Sequence, residues 1–199
     1  MKNRIIFATT NQGKMREIRE ILGDLGYDIL SMQEAGVFQD VEETGTTFAE
    51  NAFLKAEAVR KKTADGIVLA DDSGLVIDYL NGEPGIYSAR YLGKDTTYPE
   101  KMKIILERMK DAKGKERSAR FMAAIACILP DGRKFSTEAS MEGEIAQQPA
   151  GKNGFGYDPI LYLPEFGKTS AELTPEQKNK ISHRGKALRL MKDKLKGIL

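Results

Sequence analysis

Apolar and polar positions along the chain follow two alternating rhythms. Residues 4–8 (RIIFA) are an unbroken apolar run closed by the polar turn TTNQG, as expected of a strand covered on both faces. From Met15 the apolar residues recur at Ile18, Leu22 and Leu25, in steps of three and four, which predicts a helix. A second helix is marked by Thr47 and Glu50 as a capping box and by Phe48, Ala52, Ala56 and Val59 as one apolar stripe. Residues 67–70 (IVLA) predict a strand running into Asp71-Asp72-Ser73-Gly74, followed by a further strand over 75–80 and a Gly-Glu-Pro-Gly turn at 82–85.

The same rhythm continues through the second half. A third helix is predicted over about 99–109, with Thr97 and Glu100 as its capping box and Met102, Ile105, Leu106 and Met109 facing inward. Residues 120–129 and 133–145 read as two long strands joined at Pro130-Asp131-Gly132, an antiparallel hairpin. The glycine-rich run 151–159 precedes a short strand at 160–163. One final helix starts with Thr174 as N-cap and Pro175 at its first position, with Ile181, Leu188, Met191 and Leu195 on its core face. Helices alternating with strands first, then a hairpin, predict an α/β chain with a mixed sheet. No repeat or linker interrupts residues 1–199, so one domain is expected.

Composition narrows the chemistry. The 31 basic and 29 acidic residues leave a net charge of +2, and the hydrophobic fraction is 41%, which fits a globular chain rather than a disordered one. That balance lacks the positive excess needed to wrap duplex nucleic acid, so no polymer partner is expected. The N-terminal apolar stretch is too short for a signal core or a membrane span. With one His and one Cys, the chain alone can build neither a His/Cys zinc cage nor a disulfide. Cys127, in the run FMAAIACIL, reads as a small hydrophobe in a cytoplasmic setting. The remaining tools are carboxylates, Lys and Arg, hydroxyls and amides, which suit phosphate and hard cations.

Five places gather those tools. Thr9-Thr10-Asn11-Gln12-Gly13-Lys14 lies between the first strand and first helix, where free amides and the helix dipole favour an anion. It is not a Walker motif, since Met15 follows the lysine. Glu42-Glu43-Thr44-Gly45 precedes the capped helix that carries Asn51 and Lys55. Asp71 and Asp72 are adjacent acids whose repulsion a divalent cation would relieve; strand alternation points them to opposite sides, so only one meets such an ion directly. Gly154-Phe155-Gly156-Tyr157-Asp158 reads two ways: as an aromatic platform for a stacked base, with Asp158 accepting from its edge, or as a buried turn with both rings in the core. Lys178, at i,i+4 to Ser182, shares a region with Ser182-His183-Arg184, a set of donors for carbonyl or phosphate oxygens.

Together TTNQGK, EETGTTFAENAFLKA, ADDSGL, GEPGIYSARY, PAGKNGFGYDPI, GKTSAEL and SHRGKAL resemble the inosine triphosphate pyrophosphatase family, in the family's order and across nearly the whole chain. The resemblance implies an α/β homodimer with a long mixed sheet and a cleft between two lobes. It implies Mg²⁺-dependent cleavage of ITP, dITP and XTP to the monophosphate and pyrophosphate. By motif, Asp72 is the implied general base and a metal carboxylate, and Glu43 the partner metal carboxylate. Thr9 to Lys14 would hold triphosphate and sugar, with Lys55 and Ser73 assisting. Phe155, Gly156, Tyr157 and Asp158, with Lys178, His183 and Arg184, would bind the base. One position departs from the pattern: Thr10 stands where the family commonly has a very small residue. Two other readings are open, a nucleotide-binding sensor without turnover and a pyrophosphatase of standard nucleotides.

Overall fold

In the computed structural model, which describes residues 3–63 and 65–198, the strands form one seven-stranded mixed sheet. They are β1 (Arg4–Phe7), β2 (Asp28–Ser31), β3 (Ile67–Ile77), β4 (Ser118–Ile128), β5 (Lys134–Ile145), β6 (Leu161–Leu163) and β7 (Lys168–Thr169), in the order β2-β1-β3-β4-β5-β6-β7. β1 pairs in parallel with β2 and β3, whereas β6 pairs antiparallel with β5 and β7. The helices are α1 (Gln12–Leu22), α2 (Phe48–Arg60), α3 (Tyr98–Arg108), α4 (Pro175–Ile181) and α5 (His183–Lys196). Among the described residues no helix is long and apolar enough to cross a membrane.

The chain divides into two compact units, one comprising residues up to Asp72, Ala123–Ala139 and those from His183 on, the other Ser73–Met122 and Ser140–Ser182. In the first unit the central strands are covered on both faces, which is why β1 and the start of β3 read as unbroken apolar runs. Ile67 and Leu69 of β3 pack with Met15, Ile18 and Leu22 of α1 and with Leu188 and Met191 of α5. Val68 and Ala70 pack with Ala52, Ala56 and Val59 of α2. Because side chains alternate along a strand, this places Asp71 on the α1/α5 face and Asp72 on the α2 face. In the second unit, Met102, Ile105 and Met109 of α3 share a core with Leu75, Ile77, Tyr157, Ile160 and Leu161.

Several sequence expectations need correction, among them the α2 capping box, of which only the Thr47 half forms because Glu50 turns to Thr46, and the strand over 75–80, which ends at Ile77. β3 runs without a break through Asp71-Asp72-Ser73-Gly74, so the acids lie inside a strand rather than at its end. β2 and β7 carry no predicted strand, being only four and two residues long. Gln12 and Gly13 are the first residues of α1, not of the turn before it. The single final helix is two: Ser182, with φ −61° and ψ 146°, is extended and separates α4 from α5. The hairpin holds, with the Leu129 amide bonded to the Arg133 carbonyl and the Gly132 amide to the Leu129 carbonyl. α3 is capped as expected, by Thr97 and Glu100 reciprocally.

Candidate functional site

The N-terminus of α1 is organised by its own polar residues. The Asn11 side chain caps the helix by accepting from the Lys14 amide at 3.1 Å, and Thr9 Oγ1 accepts from the Asn11 amide at 3.2 Å. The first-turn amides of Gln12 and Gly13 have no acceptor within the helix by geometry, which leaves a positive end for an anion. Thr10 is exposed there. Lys14 points back across the sheet face, its Nζ donating to both Asp71 oxygens at 2.9 and 3.1 Å.

Asp71 is the hub of this face. It also accepts from Arg184 Nε at 3.1 Å, and Arg184 Nη1 reaches Glu17 at 3.3 Å. Burial alone would raise the Asp71 carboxyl; the Lys14 and then the Arg184 cations overcome it and hold it well below the usual carboxylate range. Burial lowers Lys14 in turn, despite Asp71.

On the α2 face, Lys55 Nζ donates to Asp72 Oδ1 at 2.8 Å and to Glu43 Oε1 at 2.9 Å. Asp72 Oδ2 is buried and has no hydrogen-bond partner. Burial raises the Asp72 carboxyl; Lys55 opposes this, and Glu43 and Asp71 add to it. Lys55 itself is raised: burial would lower it, but Asp71, Asp72 and Glu43 outweigh that. A cavity of about 360 Å³ is lined by Thr9, Thr10, Lys14, Glu43, Lys55 and Asp71, together with Gln39, Asp40 and the apolar Ala8, Met32, Val41 and Val59.

In the second unit the glycine-rich loop resolves its two readings. Phe155 is 53% exposed, whereas Tyr157 is 3% exposed and belongs to the core. The Tyr157 hydroxyl donates to the Ser88 carbonyl at 2.9 Å, and its ring meets Tyr98 edge-on with centroids 5.1 Å apart. Asp158 is buried and fully engaged: it accepts from the Phe155 amide and from Ser170 Oγ, each at 2.8 Å, and from Lys178 Nζ. Its carboxylate therefore faces inward rather than toward an incoming edge. Gly154 has φ +75°, and a Cβ there would meet Asp158 Oδ2 at 2.2 Å. Gly156, with φ +65°, lies against the Tyr98 ring. Lys178 Nζ sits 5.0 Å from the Phe155 ring centroid.

The i,i+4 step joins Lys178 to Ser182, whose amide donates to the Lys178 carbonyl at 2.7 Å, and His183 and Arg184 open the next helix. Lys178 belongs with Asp158 and Phe155 in the second unit. His183 and Arg184 are buried at the start of α5 in the first, where Arg184 joins Asp71. Ser73 is half-buried on β3, next to Asp72. The sequence carries no signal of the hub role of Asp71 or of the Ser170 bond to Asp158, and it places Asn51 on the helix of Lys55 without a role.

A parallel α/β layer that sets Lys14, Lys55, Glu43 and Asp71 around one cavity, with Asp72 bonded to Lys55 and Arg184 to Asp71, defines a class: an α/β protein with a charged site at a strand–helix junction. The chain belongs to the Ham1 family, whose model matches residues 5–194. It is 48% identical to a dITP/XTP pyrophosphatase of Clostridium perfringens, with 98% of each chain covered. It is 47% identical to the dITP/XTP pyrophosphatase of Escherichia coli, over 97% of this chain and 98% of that one. The Ham1 protein of Staphylococcus aureus has the same fold, with a TM-score of 0.90 at 42% identity and coverage of 99% of this chain and 100% of that one.

Proposed function

We propose that the chain hydrolyses the α–β phosphoanhydride of non-standard purine nucleoside triphosphates such as ITP, dITP, XTP and dXTP, releasing the monophosphate and pyrophosphate. The observation that carries this is the split of adjacent carboxylates, Asp71 locked to two cations and Asp72 left with a buried, unpartnered oxygen. Asp72 accepts the proton of a water whose oxygen attacks the α-phosphorus as the bond to the β-phosphate bridging oxygen breaks. Lys14, Lys55 and the first-turn amides of α1 stabilise charge on the departing pyrophosphate. Asp71 holds Lys14 and Arg184 in place, and Thr9, Thr10, Asn11, Gln12, Gly13 and Ser73 contact phosphate and sugar.

The donor set also fits Mg²⁺. Among the described residues no group of three or more His, Cys, Asp or Glu could form a closed cage. Two carboxylates, Glu43 and Asp72, one with an open oxygen, suit a hard cation that keeps waters and takes phosphate oxygens for its remaining ligands. When bound, Mg²⁺ supplies Lewis-acid polarisation of the phosphates. At the base end Phe155 offers an exposed ring for stacking, and Lys178 and His183 are donors suited to a 6-keto oxygen, which adenine's amino group cannot match. Gly156, Tyr157 and Asp158 shape and brace the loop, and Arg184 acts from the Asp71 network.

The family resemblance further suggests a homodimer, which sedimentation would test, and one catalytic domain over the whole chain. The lone buried thiol fits a cytoplasmic setting. The decisive assay is pyrophosphate release with Mg²⁺ from ITP, XTP, dITP, GTP and ATP. Turnover of the first three well above the last two is expected. Equal or absent turnover on all five overturns the reading, and ITP binding without release would indicate a sensor.

A further inference from the structure

Asn51 is a polar side chain that the proposed chemistry leaves unused. It lies in the first turn of α2, is fully buried, and precedes Lys55 by the i,i+4 step that puts both on one helix face. Its Oδ1 accepts from the Gly45 amide at 2.8 Å, two residues beyond Glu43. That bond orients the amide, because only the carbonyl oxygen can accept it. Gly45 is fitted to the contact: a Cβ there would lie 2.7 Å from Asn51 Oδ1 and 2.7 Å from Glu50 Cβ. Its need for glycine is one of room, not of backbone freedom.

The other end of the same side chain is unsatisfied. Asn51 Nδ2 is buried without a hydrogen-bond partner. An unbonded buried donor is a cost that an apolar residue would avoid. Aspartate would supply the same acceptor with no orphaned donor, but would add a third negative charge one helical turn from the lysine that Glu43 and Asp72 already share. Asparagine is the residue that gives the acceptor without the charge, and the orphaned Nδ2 is what remains of that compromise.

We infer that Asn51 is a positioning residue for Glu43: through the Gly45 amide it sets the 42–45 segment so that the Glu43 carboxylate stands ready to share a divalent cation with Asp72. This rests on the metal reading above. The test measures Mg²⁺ in two ways, as the half-saturating concentration for ITP hydrolysis and as the Mg²⁺-induced rise in melting temperature without nucleotide. Asn51→Ala and Gly45→Ala should each weaken Mg²⁺ by about 10-fold or more, the scale for residues that orient metal ligands, with the ITP KM at saturating Mg²⁺ nearly unchanged. The double variant should be no worse than the poorer single one. Asn51→Asp, isosteric and retaining the acceptor, should melt lower without Mg²⁺ and recover when it is added, so that it binds Mg²⁺ at least as tightly as the wild type. Wild-type Mg²⁺ dependence in Asn51→Ala, or weakened Mg²⁺ in Asn51→Asp, overturns the inference. If the wild type shows the Mg²⁺ shift but no ITP turnover, the function fails while the melting measurement still decides the role of Asn51.

Discussion

In the first unit the candidate residues hold one another. Lys14, Arg184 and Asp71 form one ion cluster around a buried carboxylate, Lys55, Asp72 and Glu43 another that is half-buried, and the groups that would do chemistry are the groups that keep each other in place. In the second unit the exposed element, Phe155, is held by others: Asp158 takes its amide, Ser170 fixes Asp158, and Tyr157 anchors the loop to the Ser88 carbonyl. The difference separates chemistry from support. Where ligands and scaffold are the same side chains, a single substitution can remove function, stability or both, depending on which oxygen it touches. Where they are distinct, binding and stability should come apart cleanly.

The sharpest break of the first arrangement is Asp72→Asn. The amide still accepts from Lys55 and lacks a charge that burial disfavours, so urea stability should stay level or rise. As the general base it should lose kcat by at least ~100-fold, measured as pyrophosphate release. A fall of less than tenfold would remove Asp72 from the chemistry. Its neighbour should behave in the opposite way. Asp71→Asn takes the shared carboxylate from half-buried Lys14 and buried Arg184, which keeps Glu17 at 3.3 Å, and should cost about 3 kcal/mol in urea unfolding, the low end for one partner of a buried pair. The pH sign follows: the folded Asp71 carboxyl lies below its ordinary 3.8, so its stabilisation is full above that value and is lost as pH falls below it. The gap between wild type and Asp71→Asn should narrow in acid. A gap that widens there would contradict the ion cluster.

Phe155→Ala breaks the second arrangement. The ring is half out of the core, so melting temperature should hardly move, while loss of stacking at about 1–2 kcal/mol should raise the ITP KM roughly 10-fold. A variant that unfolds instead would make Phe155 part of the loop's support and erase the contrast with the first unit.

How much of this could be read in the sequence depends on how local each cause is. α3 and its capping box, the α2 stripe and the hairpin turn are set within a few residues and were legible. The continuity of β3 was not, because two adjacent acids inside a strand look unfavourable until Lys14 and Arg184, 57 and 113 residues from Asp71, supply the compensating charge. β2 has four residues and finds its partner β1 across an intervening helix, so no periodicity announces it. The split at Ser182 was hidden because α4 and α5 share one apolar stripe in the helical register. Phe155 and Tyr157 look alike in a glycine-rich run, and only the Tyr98 and Ser88 contacts separate the exposed ring from the buried one. Asn51 stood in a quoted motif, but its use depends on a glycine six residues earlier.

The smallest effect tests the units through their helix starts. In α3, Thr97 Oγ1 accepts from the Glu100 amide and donates to Glu100 Oε2, which also takes the Thr97 amide. In α2, Thr47 accepts from the Glu50 amide, but the Glu50 carboxylate turns to the Thr46 amide and hydroxyl instead. Thr97→Ala therefore removes two side-chain bonds and Thr47→Ala one. Each should cost about 1 kcal/mol, the ordinary value of an N-cap, with Thr97→Ala the larger by a few tenths in paired urea melts. The functional consequence should run the other way. α2 carries Lys55 and Asn51, so Thr47→Ala should weaken Mg²⁺-dependent turnover slightly, and Thr97→Ala should leave it alone. If Thr97→Ala lowers turnover more than Thr47→Ala, support in the second unit reaches the chemistry, and the separation drawn between the two arrangements is too clean.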